Sequence, residues 1–359
     1  MGPLTGDRLR ANQWHLQYLR ISQAHRISQG QGVTIAVVDT GVEPHPDLVR
    51  NLLPGEDAVP GGSGDGRQDA DGHGTGMSGL ISAHGHNGNG GALGIAPKAK
   101  ICPIRFKIKE NFGRVDDMSV AIRSAVRRDV DIISISAGYP DTPSLQEALS
   151  EASQADILVV ASAGNVPVSS GIEYPAAYPG VLSVGGVDRN GNHAAVSVTG
   201  SKIDVVAPAV DIYSTSIDGK YRKGTGTSDA TAIVAGAAAL IRSKYPNLSA
   251  DQVANRIKAT AVDKGPPGKD DEYGYGVIDI VAALTADPDT TMSAPPATGA
   301  PAPSAATITT AVAEPANSHD DGATTRGLAT LGVLVAAGAG YLVWRRRRRA
   351  DDPPPRISR

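Results

Sequence analysis

Cysteine is almost missing from this chain: Cys102 is the single one in 359 residues. An internal disulfide is therefore excluded. Cys102 lies in "AKICPIRFK", which reads as a buried strand edge, so its thiol is expected to act as a small core residue and not a reactive group. Aromatic residues are also scarce, at 4%, with two Phe and two Trp. A core of packed rings is excluded, and Ala, Val, Ile and Leu must fill it. The first 30 residues lack an apolar run of the export-signal type. Excess basic charge is lacking too. A net charge of −3 gives no reason to expect a nucleic-acid partner.

What the chain does have is uneven. Residues 345–359 hold seven Arg and two Asp, a charge of +5, which leaves −8 on the remainder. That is a basic tail on an acidic body. Residues 1–30 carry spaced apolar side chains (Trp14, Leu16, Leu19, Ile21, Ile27) and read as an ordered arm. Residues 31–284 alternate short β-rich apolar runs with helical segments. The runs are 33–39, 131–136, 156–162, 180–187 and 203–208; the helices fall near 115–128, 144–154, 229–245, 249–260 and 277–284. Continuous apolar strands alternating with helices predict an α/β fold, a mostly parallel central sheet covered on both faces.

Composition shifts at Thr285. Residues 285–326 are rich in Pro, Ala and Thr and cannot bury a core, so they read as an extended linker. Residues 327–344, "GLATLGVLVAAGAGYLVW", carry no charge. As a helix they reach about 27 Å, enough for the hydrocarbon core of a bilayer. Tyr341 and Trp344 stand near one end, and Arg345–Arg349 follow directly. Arginine clusters stay on the cytoplasmic side, so the expectation is a single-pass protein of the cell membrane. Its basic tail (345–359) is then cytoplasmic and its large domain extracytoplasmic. An exported domain needs a leader, and the reading takes it to be missing from this start.

Three motifs stand where an α/β protein keeps its chemistry, at strand carboxyl ends and the helix starts beside them. "IAVVDTGV" ends an apolar strand on Asp39, a costly position for an unpartnered carboxylate. "DGHGTGMSGL" sets His73 between glycines ahead of a helix of small residues. "GTGTSDATAIVAG" starts a helix at Ser228. Acid, histidine and serine are what acyl transfer requires. The imidazole takes the proton of a weakly nucleophilic hydroxyl, and the buried acid fixes its tautomer. A fourth motif, "VVASAGN", ends on Asn165, whose amide, with the Ser228 N–H, suits an oxyanion hole. Each motif alone is weak, since a serine at a helix start is more often an N-cap. Four in this order on these elements are a strong joint signal.

With these residues the chain resembles the subtilisin-like serine proteases, the subtilases, over about residues 28–284. The order Asp, His, Ser is subtilisin's. Further landmarks are "HPDL" (45–48), "GNGGALGIAP" (88–97), "SISAG" (134–138), "IDVVAP" (203–208) and "YGYGVIDIVAAL" (273–284). The resemblance implies a three-layer subtilisin-like fold, Asp39, His73 and Ser228 as the triad, and Asn165 as oxyanion donor. It implies Ser136, Ala137 and Gly138 as a cleft wall that pairs with the peptide, and Ala161, Ser162 and Ala163 as the lining of the specificity pocket. That pocket reads as small and neutral, which argues against a Lys or Arg requirement. Within the family the layout is closest to the mycosins, membrane-anchored proteases of actinobacterial type VII secretion. They share the "QWHL" arm, the Pro-rich linker, one C-terminal span and a short basic tail.

The chain also departs from its relatives. Asp229 stands where many have a neutral residue, Ala232 where Pro is usual, and paired cysteines common in mycosins are missing. At a helix start a carboxylate gains about 0.3–1 kcal/mol from the dipole. If it points into the cleft, at ~6 Å and ε of about 20, it opposes the oxyanion by roughly 3 kcal/mol. No cofactor is required. The family can hold calcium near the positions of Asp47 and Asn87 through hard oxygen ligands, but here that loop offers few carboxylates. His84 and His86 are too few ligands for a transition metal, and their segment reads as a solvated loop.

The leading reading is a membrane-anchored extracytoplasmic endopeptidase acting on polypeptides, linked to type VII secretion. Its partners would be secretion-complex membrane proteins. The alternative is a weakly active or inactive subtilase-like domain with a structural role there. An ester or lipid hydrolase would show Gly-x-Ser-x-Gly and the order Ser, Asp, His. The order here rules against it.

Overall fold

The computed structural model describes residues 6–86, 90–109 and 113–287, with side chains from Leu9 onward. In chain order the elements are α1 (Gly6–Asn12), α2 (Trp14–Tyr18), α3 (Ile21–Ala24), β1 (Thr34–Asp39), β2 (Glu56–Asp57), α4 (His73–Ser82), β3 (His84–His86), β4 (Gly90–Leu93), β5 (Lys100–Arg105), α5 (Val115–Arg127), β6 (Ile132–Ile135), α6 (Pro143–Gln154), β7 (Leu158–Ser162), β8 (Leu182–Val187), β9 (Val205–Pro208), β10 (Ile212–Thr215), β11 (Tyr221–Gly224), α7 (Thr227–Lys244), α8 (Ala250–Ala259) and α9 (Ile280–Thr285). Every strand and helix expected between residues 31 and 284 is present.

Seven strands form one sheet in the order β2-β5-β1-β6-β7-β8-β9. All its ladders are parallel, with Val38 opposite both Ile104 and Ile135 at the centre. Alternation along each strand divides the core. Ile35 and Val37 face one layer, where they meet Met77, Leu80 and the side chains of α7. Ala36 and Val38 face the other, with Met118, Ile122, Leu145 and Leu149 of α5 and α6. The result is three layers, helix, sheet and helix. A strand buried on both faces has no polar side to display, which is why these runs are continuously apolar.

Helix α7 runs through the core and is buried at every position from Thr227 to Ile241. Ala and Gly make that possible, since neighbours reach its axis on all sides. Among the described residues no helix is long and apolar enough to cross a membrane. The expected linker (285–326) lies outside the described residues beyond Asp287, as do the span (327–344) and the tail (345–359).

From Gly6 onward the described part of the arm forms three short helices. Leu9, Trp14, Leu19 and Ile21 enter the core shared with α7. Gln13 donates from Nε2 to the Leu93 and Tyr213 carbonyls and accepts from Leu93 N, and Trp14 Nε1 donates to the Val210 carbonyl at 3.1 Å. Two expectations are corrected. Cys102 is buried but not on an edge strand, because β5 lies between β2 and β1. His84 and His86 lie in β3 of a two-stranded sheet with β4, where pairing with Leu93 and Gly90 replaces the expected solvated loop.

Candidate active site

The carboxyl ends of the parallel strands converge on one place. β1 ends at Asp39, and the chain leaving β5 carries Lys107. The chain leaving β6 carries Ser136, and that leaving β7 carries Asn165. Asp39 is 1% exposed. His73 Nδ1 lies 2.9 Å from both of its carboxylate oxygens. The Thr40 N–H donates to Oδ1 at 2.7 Å. Burial alone would raise the Asp39 carboxyl. The charges of His73 and Lys107, with the hydrogen bonds, outweigh it and bring it down to about 2.

Lys107 was not legible in the sequence. Its side chain is fully buried, with Nζ 3.6 Å from Asp39 Oδ1, and donates to the Ser136 carbonyl at 3.4 Å. Nothing in "RFKIK" separates a lysine folded inward from one in solvent. Asp69 was missed too. It organises the start of α4, whose N-cap is Gly72 and has no side chain to offer. Asp69 Oδ1 accepts from Gly72 N at 2.9 Å, and Oδ2 accepts from Thr75 N at 2.9 Å and Thr75 Oγ1 at 2.7 Å. A carboxylate there satisfies orphan N–H groups and meets the positive end of the helix dipole. Thr40 Oγ1 donates to Asp69 Oδ1 and accepts from Gly74 N, which ties the Asp39 turn to the turn carrying His73. Gly74 allows the approach, since a Cβ there would stand 2.1 Å from the Gly41 carbonyl oxygen.

Ser228 occupies the first turn of α7, which packs against α4. It lines a cavity of about 380 Å³ together with Ser136, Ala137, Gly138, Ser162, Gly164 and Asn165. The Asn165 amide is fixed by its oxygen. Oδ1 accepts from Thr227 N at 2.9 Å and Thr227 Oγ1 at 3.1 Å, which leaves the NH₂ as the end free to donate to a bound group.

Ala161 and Ala163 do not line this cavity. Both are fully buried in core clusters, Ala161 with the α5 and α6 layer and Ala163 beside Val187 and Val206. Alternation along β7 and its extension turns them into the sheet while Ser162 faces the cleft. The cavity is not wholly neutral. The chain returns at Ser169 and Glu173, and both line the cavity.

Asp229 turns away from the cleft. It is 1% exposed, Oδ1 lies 3.4 Å from Arg222 Nη1 of β11, and it is not among the residues lining the cavity. The Asp47 carboxylate is already engaged by donors. Oδ2 accepts from Ala92 N at 2.7 Å and Tyr221 Oη at 3.0 Å, and Oδ1 meets His86 Nδ1. Arg10 of the arm places its guanidinium on the neighbouring Gly90 carbonyl. Among the described residues, donors thus engage both Asp47 oxygens, with the Arg10 cation close by. Asn87 lies outside the described residues. Among the described residues no group of three His, Cys, Asp or Glu side chains could hold a metal ion.

The family model described as "Subtilase family" matches residues 30–276. The chain belongs to the subtilase family. It is 37% identical over 272 residues to subtilisin BL of Lederbergia lenta, covering 75% of this chain and 97% of that protein. Among solved structures it resembles MycP1 from the ESX-1 type VII secretion system, with a TM-score of 0.70 and 28% identity over 82% of this chain and 92% of that one. MycP1 from Mycobacterium smegmatis aligns with a TM-score of 0.68 and 27% identity over 84% and 94%. The mycosin resemblance and the subtilisin-like fold hold, and this subtilase is a serine protease of the subtilisin type.

Proposed function

We propose that this subtilase is a membrane-anchored endopeptidase whose acyl-transfer site is Asp39, His73 and Ser228, with the Asn165 amide and the Ser228 N–H as oxyanion donors. The observation that carries the reading is the buried Asp39–His73 pair, both carboxylate oxygens on one ring nitrogen. Asp39 keeps the proton on Nδ1, so Nε2 accepts the Ser228 proton as Oγ attacks the peptide carbonyl carbon. The same proton passes to the leaving amine as the C–N bond breaks. Water then repeats the sequence on the ester and frees the enzyme. The oxyanion that forms in each half meets the Asn165 NH₂. In subtilisin itself one such donor is worth about 2.7–4 kcal/mol. This chemistry uses no cofactor.

Residues 327–344 supply the anchor and Arg345–Arg349 hold the tail in the cytoplasm, so the protease domain faces outward. MycP1 is described as a component of a type VII secretion system. By that likeness this chain serves such a system, acting on exported polypeptides beside secretion-complex membrane proteins.

The full-length protein in detergent, given a peptide library, is expected to cleave it. Ser228→Ala should lower the rate by about 10⁴-fold or more, the scale known for subtilisin's triad. A native protein inert toward every peptide would overturn the reading. In cells, a secreted-protein profile changed by Ser228→Ala assigns proteolysis to secretion. A profile changed only by deleting the whole protein assigns a structural role instead.

A further inference from the structure

We infer that the cleft selects a basic side chain, lysine or arginine, at the residue whose carbonyl is attacked, with Glu173 as its counter-ion; this rests on the reading of Ser228 as nucleophile. Among the described residues Glu173 is the one charged side chain lining the cavity of about 380 Å³ that Ser228 and Asn165 share. That volume equals about a dozen water molecules, enough for a long side chain.

The backbone pins Glu173 between both walls. Tyr139 and Tyr174 exchange N–H···O bonds of 2.8 and 3.2 Å in an antiparallel bridge, which holds the residue after Glu173 to the residue after Gly138. Its own N–H donates to the Ala163 carbonyl at 3.4 Å. A Cβ on Gly138 would lie 2.0 Å from Glu173 Oε2, so the glycine makes room for the carboxylate. Ser169 Oγ accepts from Asn165 N at 3.3 Å and donates to Glu173 Oε2 at 3.1 Å. That single bond orients the carboxylate and leaves most of its acceptor capacity open, since the two oxygens offer about four acceptor sites. Among the described residues no Lys, Arg or His forms an ion pair with it. A half-buried negative charge without a counter-ion, in a cleft otherwise lined by neutral groups, raises the local concentration of cations and disfavours acids. A substrate lysine or arginine would complete the pair, and its absence in other peptides would leave the carboxylate desolvated and unmatched.

The test uses the full-length protein in detergent and fluorogenic peptides identical except at the residue before the scissile bond. Lys and Arg are expected to give the highest kcat/KM and Glu the lowest. In Glu173→Gln the Lys-to-Leu ratio should fall about ten- to hundredfold, which is about 1.4–2.7 kcal/mol. Glu173→Arg should raise Glu above Lys. Labelling with a serine-directed fluorophosphonate runs alongside to report an assembled site. A labelled native enzyme that prefers Ala or Leu would make Glu173 a plug that shortens the pocket, and the inference would be wrong while the protease reading stood. A native enzyme that neither labels nor cleaves would sink both. If a variant fails to fold, the native profile alone decides.

Discussion

Asp229 is the residue of "GTGTSDATAIVAG" whose direction matters most, and the fold turns it away from the cavity. The charge next to Ser228 is spent on Arg222, an ion pair between the start of α7 and β11. The electrostatic penalty weighed for a carboxylate in the cleft therefore does not arise. Removing Asp229 instead strands a guanidinium that is 23% exposed. Asp229→Ala is expected to lower stability by about 3 kcal/mol, seen as a lower denaturation midpoint, while turnover at a temperature where the variant is folded changes less than threefold. A faster enzyme of unchanged stability would mean that the carboxylate faces the oxyanion after all. The orientation of Asp229 was not legible in "GTGTSDATAIVAG", because its partner lies in a hairpin with no motif of its own. Lys107 and Glu173 were hidden for a related reason. Each is held in place by a neighbour that only the folded chain supplies. Asp39, His73, Asn165 and Ser228 were legible because each sits at a strand end or helix start, where a polar residue interrupts an apolar pattern.

At the level of elements, the arm is the part whose structure the sequence concealed most. Helices of seven, five and four residues are too short for a 3.6-residue period to stand out. What they do is clear from their burial, since they wedge Leu9, Trp14, Leu19 and Ile21 into the core. None of the arm's described residues lines the cleft, so the arm braces the domain. It also buries His15 completely, and among the described residues neither ring nitrogen has a hydrogen-bond partner. Burial pushes His15 down to about 3 from an ordinary 6.5. The folded state thus resists a proton that the unfolded chain takes up readily. Stability attributable to His15 is complete above pH 6.5 and is lost as pH falls from there toward 3, by up to about 1.4 kcal/mol per pH unit. Urea denaturation at several pH values should show that slope, and His15→Phe should flatten it. An unchanged slope in the variant would remove His15 as its cause.

For the whole molecule, one architectural rule placed the chemistry before any side chain was seen. A parallel sheet covered on both faces sends all its strand ends the same way, and the loops leaving them share one edge. The apolar runs at 33–39, 131–136 and 156–162 made the sheet legible, and the residues that close them made most of the site legible. The cavity beside Ser228 was less so. It is finished by residues 164–173, a loop without periodicity, and two of the three residues expected from β7 and its extension face the core. The charge division follows the same large scale, with an acidic protease domain and a basic tail on either side of the proposed anchor. The central claim, that Ser228 is a nucleophile activated by the His73–Asp39 pair, is tested most directly by labelling the full-length protein with a fluorophosphonate and locating the adduct by mass spectrometry. One adduct is expected, on Ser228, formed by the native protein and not by His73→Ala. An adduct on another serine, or none on the native protein, would contradict it.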